Sequence, residues 1–442
     1  MLQSFFESFF NYVGIVDYFL WSYIGVPAIL LFGVYFAFKS RCMQVRKAGS
    51  ILKIFLATFE NKDDKSARGI SPVRTFFTSI GGCVGVGNVV SVCTAVQIGG
   101  PGAIFWMWVA AIFGMLVKYS EIYLGVIYRV PNQNDSYDGG PMYYLYQISP
   151  SGLLSVLFCI FMCIYGAEIY VFRVVTHTLV TQWGLNKLAV VLVLLSAILV
   201  AGKRGFDSVG KVVSVLIPGF VMLFMGVCAW VFIKNYALLP HIFMTIFKSA
   251  FSGHALIGAF AGSTVLLGMA QGMKRACYTG DIGIGYASII HAESNEANPK
   301  KEAVLGMMGI FLDTFFVCTL SVLLIIVTGL WSEPLHESQL VVTALSDYIP
   351  AIRAMWPLFI TVLGYSTLIS YYSVGKKAAK FLFPNWGQRL YMLYAICAFL
   401  IFSFVGNEGH IMTMMSTAGV ILLIINMYGI FRLRNKISFD LE

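Results

Sequence analysis

Charge is what this 442-residue chain has least of. Asp, Glu, Lys and Arg make up 12% of it, against 58% hydrophobic residues and a mean hydropathy of +0.80. A soluble domain runs at about 25% charged and roughly 45–50% apolar residues, so this chain lacks the means to coat a soluble surface. Other signals are missing too. The nine Cys contain no Cys-x-x-Cys pair, which leaves them as small apolar packing residues rather than metal ligands. No Lys or Arg precedes Lys39, so a cleaved signal peptide with a basic n-region is not expected. The six His show no His-Glu-x-x-His spacing, and no Gly-x-x-x-x-Gly-Lys-Ser/Thr run occurs. Those absences exclude a zincin site and argue against ATP-driven transport by this chain alone.

What is present is a series of long apolar runs. A bilayer core of about 30 Å needs roughly 20 apolar residues per helix. About eleven runs qualify, near 17–38, 73–97, 100–128, 152–180, 187–202, 212–233, 247–270, 302–330, 354–375, 390–405 and 408–431. Lipid satisfies no backbone group, so these runs must be helices. None alternates with the period of two that a barrel strand requires. The reading is an all-α polytopic membrane protein with the lipid bilayer as its surroundings.

The net charge of +9 invites a nucleic-acid reading, but the basic residues sit in short breaks between apolar runs, where topology places them. No nucleic-acid partner is expected. The first break carries Lys39, Arg41, Arg46, Lys47, Lys53, Lys62, Lys65, Arg68 and Arg74. Alternate breaks hold most of the remainder, including Lys203 and Arg204, Lys274 and Arg275, Lys300 and Lys301, Lys376 and Lys377, and Arg432 and Arg434. The intervening breaks hold little besides Lys187, Lys234 and Lys248. The bias places the N-terminus outside and the C-terminus in the cytoplasm, in what is expected to be a bacterial inner membrane.

With the first helix set aside, ten remain, as five and five. An odd number in each half inserts the second half upside down. The divisions are 1–70 (first helix and basic loop), 71–233 and 246–431 (the two repeats), and 432–442 (a tail). Each half begins with a Gly-interrupted helix: Gly81-Gly82-Cys83-Val84-Gly85-Val86-Gly87-Asn88 in one, Gly258-Ala259-Phe260-Ala261-Gly262-Ser263-Thr264 in the other. Glycines also permit close helix packing, but paired interruptions in inverted halves point to a transporter's binding site.

The stretch 70–129 resembles the alanine or glycine:cation symporter family, the sodium:alanine symporters. The residues that carry the likeness are VGVGN at 84–88, IGGPGAIFWMWVAAIFGM at 98–115 and KYSE at 118–121. GGPMYY at 139–144, VGK at 209–211, FAGSTV at 260–265, LDT at 312–314 and YST at 365–367 extend it. The resemblance implies a LeuT-type inverted-repeat fold with one extra N-terminal helix, and import of a small amino acid driven by a cation gradient, usually Na⁺. No resident cofactor is implied, and H⁺ stays open as a coupling ion. The segment 83–88 is also similar to the unwound first core helix of the neurotransmitter:sodium symporters. By that likeness the Val86 and Gly87 N–H groups, beside Gly85, would hold the substrate carboxylate. The Cys83 carbonyl and Asn88 would serve one Na⁺, and the Gly81 and Val84 carbonyls with Ser366 and Thr367 a second. Phe260 would wall the pocket, with Gly262 and Ser263 exposing backbone to it.

Four departures from the family pattern bear on the substrate. The usual GTGN reads Gly-Val-Gly-Asn, so Val86 has no hydroxyl. The SNEAG-type segment reads Thr279-Gly280-Asp281-Ile282-Gly283. A helix that usually presents Asn and Gln carries Glu168, Val171 and Arg173, and the Gly-Trp after the YST-like segment reads Ser370-Tyr371. Glu168 and Tyr371 therefore join the candidate substrate residues.

Ionisable residues within spans are functional candidates by default. Lys118 and Glu121, three apart on one helical face, read as a structural ion pair. Asp313 reads equally as a gate brace or a helix cap, and Arg353 as a snorkelling edge residue. Glu168 lies near its span's midplane, and Arg173, five residues on, points about 140° away from it. A partner on a neighbouring helix and a role toward substrate or proton weigh equally. An ion channel would need a filter or charge ring repeated about an axis, and an intramembrane hydrolase a nucleophile and base. Neither pattern is visible, so the chain reads as a secondary transporter and not an enzyme. The amino acid and the oligomeric state stay open.

Overall fold

The apolar residues of this chain face outward as readily as inward. Leu31, Phe38, Val193, Val215 and Met222 are at least 70% exposed, while Asn88, Glu121, Asp281 and Asp313 are fully buried. Such an inside-out distribution suits a lipid surround. The structure is a computed structural model that describes residues 2–60, 68–133, 135–203, 205–252, 265–405 and 408–441. It is nearly all helix, with one two-residue hairpin, β1 (Val130–Pro131) against β2 (Tyr137–Asp138).

Among the described residues, eight helices are long and apolar enough to cross a membrane, and a ninth if one bent pair counts as a single span. In chain order the helices used below are α1 (Ser8–Ser40), α2 (Ala48–Glu60), α3 (Pro72–Cys83), α4 (Gly87–Gly99), α5 (Ala103–Ile127), α6 (Pro141–Ile148), α7 (Leu153–Tyr165) and α8 (Ile169–Trp183). There follow α9 (Lys187–Lys203), α10 (Gly205–Lys234), α11 (Leu239–Ser252), α12 (Val265–Gly280), α13 (Tyr286–His291) and α14 (Pro299–Val327). The last are α15 (Glu337–Ser346), α16 (Ile352–Leu382), α17 (Gly387–Phe404) and α18 (Glu408–Arg432). Pro72, Pro141 and Pro299 stand in first turns, where a missing N–H costs nothing. Asn298 accepts from Lys300 N to cap α14.

Several expectations need correction. The basic segment 39–74 is not simply a loop, because it contains α2, whose Phe55 and Phe59 pack edge-on against Phe76. The run 152–180 is one candidate span, Leu153–Trp183, but its helix is interrupted at 166–168, between α7 and α8. Lys274 and Arg275 do not lie in a polar loop. Both sit inside α12, where Lys274 meets Asp17 of α1 and Arg275 is 6% exposed. The polar residues of 271–294 lowered its hydropathy, yet most of that segment is buried.

At one end of the bundle the segment entering α3 is tied to the segment leaving α13. Ile70 N donates to Glu293 O at 2.9 Å and Asn295 N to Ile70 O at 2.7 Å. Glu302, fully buried, accepts from Thr75 at 2.9 Å and from Ser294 at 2.9 Å, with His291 Nδ1 at 2.7 Å. Beside this clasp lies a cavity of about 380 Å³ bordered by Lys376, Lys377, Asp207 and Glu293. Lys377 bridges Asp138 at 2.5 Å and also meets Glu293, and Lys380 joins Asp138 at 2.7 Å. Burial raises the Glu293 carboxyl, which Lys377 offsets only in part. Burial opposes the Asp138 charge as well, but there Lys377 and Lys380 outweigh it and hold the carboxyl below the usual range.

Candidate functional site

Three helix interruptions converge on one another. The first separates α3 from α4, whose axes bend by 43°. Val84 leaves the helical region (φ −78°, ψ 90°), and a π-helical segment, Gly87–Ser91, follows. None of the glycines at 81–87 takes a positive φ. Their use is close approach. A Cβ on Gly81 would lie 2.1 Å from Val213 Cγ1, one on Gly82 2.0 Å from the Tyr286 hydroxyl, and one on Gly85 2.1 Å from Thr367 Oγ1. Gly87 is roomier, with Thr279 Cγ2 at 3.4 Å.

The expected second interruption at 258–264, with Phe260, Gly262 and Ser263, lies outside the described residues. Among the described residues, a break lies at 281–285, between α12 and α13. Asp281, Gly283 and Gly285 all adopt positive φ (49°, 72° and 97°), a region that glycine enters freely and aspartate tolerates. This is the SNEAG-like segment. It packs on the first break: Tyr286 donates to the Thr78 carbonyl at 3.1 Å and stacks on Tyr371 with centroids 4.0 Å apart.

The third break, at 166–168, puts Glu168 at φ 48° just ahead of α8. Its carboxylate is 2% exposed and accepts from the Tyr278 hydroxyl at 3.1 and 3.3 Å. The partner therefore comes from α12. Arg173 goes elsewhere, donating to the Phe402 and Ser403 carbonyls at 2.6 and 3.3 Å at the end of α17. Tyr278 also lies 3.7 Å from the Cβ position of Gly87, so Glu168, Tyr278 and the start of α4 are neighbours. Tyr371 meets Tyr165 edge-on at 5.6 Å, and Val86 approaches the Gly364 Cβ position at 3.4 Å.

Two oxygen-rich clusters flank the first break. In one, Asn88 Oδ1 accepts from Gly85 N at 2.9 Å, while Asn88 Nδ2 donates to Asp313 Oδ1 at 2.5 Å and lies 3.1 Å from Cys318 Sγ. Thr279 and Thr314 donate to Asp313 Oδ2 at 3.3 and 3.0 Å. Asp313 lies on a second π-helical segment, Phe311–Cys318. Two π segments thus turn Asn88 and Asp313 toward each other, and such segments occur frequently at functional sites. In the other cluster, Thr367 Oγ1 donates to the Gly81 carbonyl at 3.3 Å and to Leu363 O at 3.2 Å, and Ser366 donates to Leu363 O at 2.8 Å. The structure brings Gly81, Gly85 and Thr367 together, and Gly85 N links this cluster to Asn88 of the first. Cys83 and Val84 lie between, both buried. Hydroxyl, carbonyl and carboxylate oxygens suit hard cations.

Thr279, Tyr278 and Asp313 were not among the site residues expected from the sequence. Two signals were available: Thr279 opens the SNEAG-like segment, and Asp313 lies in LDT. The expected ion pair 118/121 forms, and it has a third member. Lys118 lies 3.8 Å from Glu121, but its nearer partner is Asp281, at 2.8 Å.

The sequence pattern of the sodium:alanine symporter family matches residues 6–442. The chain is 29% identical over 411 residues to the sodium/alanine symporter AgcS of Methanococcus maripaludis, covering 90% of this chain and 88% of that one. It is 27% identical over 434 residues to the probable sodium/glutamine symporter GlnT of Bacillus subtilis, covering 97% and 88%. It also resembles the putative sodium/proton-dependent alanine carrier YrbD of Bacillus subtilis, at 26% identity over 390 residues, covering 83% and 77%. Among solved structures, that of a Na⁺-coupled sialic acid symporter in a substrate-bound, outward-open state aligns with a TM-score of 0.56 at 12% identity. It covers 96% of this chain and 88% of that one, a likeness of fold alone. With the family pattern running over nearly the whole length, this chain belongs to the sodium:alanine symporter family, whose members are integral membrane transporters and not enzymes.

Proposed function

We propose that the protein imports a small neutral amino acid, of the alanine or glycine type, by symport with Na⁺ through alternating access. The observation that carries this reading is the convergence of breaks at 84–86 and 281–285 beside the Asn88–Asp313–Thr279 cluster. A half-helix beginning at Val86 and Gly87 offers a positive end to a carboxylate. The Asn88 and Thr367 clusters offer oxygens to Na⁺. Eleven membrane-crossing helices arranged as one plus five plus five accommodate these elements. The helix Lys187–Lys203 then counts as a crossing helix. The bilayer is a bacterial inner membrane, with the N-terminus outside and the C-terminus in the cytoplasm.

A second reading, H⁺ coupling, is favoured by Glu168. A buried carboxylate that accepts from the Tyr278 hydroxyl can take up a proton or a substrate ammonium. The test is uptake into proteoliposomes, using a panel of labelled amino acids under Na⁺ and H⁺ gradients imposed separately. Concentrative uptake of a small neutral amino acid under Na⁺ alone supports the first reading. Uptake that follows only the H⁺ gradient replaces it with the second.

A further inference from the structure

No step above uses the charges at the second break. Lys118, on α5, is 2% exposed, and Glu121 and Asp281 are fully buried. The Lys118 ammonium donates to the Gly280 carbonyl at 3.0 Å, the Asp281 carbonyl at 2.8 Å and the Asp281 carboxylate at 2.8 Å. Those carbonyls stand where α12 stops, and a helix end leaves its last carbonyls without intrahelical donors. Gly280 and Asp281 are buried in the bundle, so neither water nor lipid supplies the missing donors. A lysine from another helix does.

The opposite side of the break is held in the same way. Asp281 Oδ2 accepts from Ala287 N at 2.9 Å, in the first turn of α13, so one carboxylate serves both the lysine and the next half-helix. Asn426 of α18 donates to the Gly283 carbonyl at 2.9 Å and to Glu121 at 2.9 Å, and Tyr144 of α6 donates to Asn426. Ser288 donates to the Glu121 carbonyl at 2.6 Å. The break is thus fastened to α5 on one side and α18 on the other.

We propose that Lys118 is a positioning residue for transport: it fixes the end of α12 so that Tyr278 and Thr279 meet Glu168 and Asp313. Tyr278 and Thr279 immediately precede the carbonyls that Lys118 holds. Thr279 belongs to the candidate Na⁺ cluster, and Tyr278 donates to Glu168. The competing role is charge neutralisation alone, since one ammonium faces two carboxylates. The two roles separate in Lys118→Met/Asp281→Asn, which keeps the net charge of the cluster and removes the tether.

The proposal rests on the symport reading for its transport readout, so a second readout is independent of substrate. Hydrogen exchange of the amides at 281–287 is measured on the full-length protein in nanodiscs, alongside alanine uptake in proteoliposomes. The double variant is expected to insert normally and to exchange at 281–287 at least about tenfold faster. Its half-saturating Na⁺ and alanine concentrations should both rise about tenfold. Asp281→Asn alone keeps an oxygen for Ala287 N and leaves Lys118 on both carbonyls. Its exchange should stay within about threefold of wild type, and it carries the test where the double variant does not accumulate. Wild-type exchange and wild-type constants in the double variant would show that Lys118 only balances charge. So would an Asp281→Asn protein as loose as the double variant. A wild-type protein that takes up no amino acid would sink the symport reading, while the exchange data would still decide the role of Lys118.

Discussion

Gly85→Ala is the smallest change that reaches the candidate Na⁺ chemistry directly. Its Cβ would sit 2.1 Å from Thr367 Oγ1, whereas the next neighbours, Thr367 Cβ and the Gly82 carbonyl, lie at 3.4 and 3.7 Å. The whole clash therefore falls on one hydroxyl. Thr367 can relieve it by rotating, at about 0.5–1.5 kcal/mol for a poor rotamer. It then gives up its bond to the Gly81 carbonyl, about 1–3 kcal/mol for a buried group left unpaired. A total of roughly 2–4 kcal/mol leaves most proteins folded, but the hydroxyl no longer faces Gly81. Losing one oxygen from a Na⁺ site should raise half-saturating Na⁺ at least about tenfold, which corresponds to about 1.4 kcal/mol. The assay is initial uptake rate at fixed alanine with Na⁺ varied, normalised to reconstituted protein. Gly226→Ala on α10 is the control, because its Cβ would meet nothing within 4 Å, and its Na⁺ dependence should match wild type. Wild-type Na⁺ dependence in Gly85→Ala, or an equal defect in Gly226→Ala, would refute the reasoning.

Thr367→Val removes the hydroxyl without the clash and should raise the Na⁺ requirement before selectivity among amino acids changes; a Na⁺ titration with competing substrates reads both. Asp313→Asn keeps the shape of the Asn88 cluster but removes its negative charge. Half-saturating Na⁺ should rise about tenfold or more, with insertion judged by size-exclusion profile unchanged, and an unaltered Na⁺ curve would remove Asp313 from the site. Glu168→Gln restores an amide of the kind usual in the family. It should abolish the pH dependence of uptake or weaken amino-acid affinity broadly, whereas identical affinity and an identical pH profile would make the carboxylate purely structural.

Much of the fold was legible because lipid imposes long apolar runs and positions basic residues between them. The first break was legible for a related reason, since a cluster of glycines inside an apolar run has few other uses. The break at 281–285 was not expected. Lys274, Thr279 and Asp281 make 271–294 look like a loop, but these side chains are spent on Asp17, Asp313 and Lys118 inside the bundle. Hydropathy counts a buried, paired charge as an exposed one. Adjacency found Glu121 beside Lys118 but not Asp281, the nearer partner that the fold brings. The π segments at 87–91 and 311–318 leave no mark in composition, so the meeting of Asn88 with Asp313 could not be read from spacing. Glu168 stood out by its position within an apolar run, but its left-handed backbone and its Tyr278 partner were not foreseeable.

The central claim is that amino-acid and Na⁺ movements are obligatorily linked. Radioactive Na⁺ and labelled alanine are to be followed together in the same proteoliposomes, at zero membrane potential and matched pH across the membrane. The account predicts that each flux depends on the presence of the other ligand, saturates, and holds a fixed ratio to the other across alanine concentrations. Alanine accumulation without Na⁺ entry, or non-saturating Na⁺ entry without alanine, would contradict it.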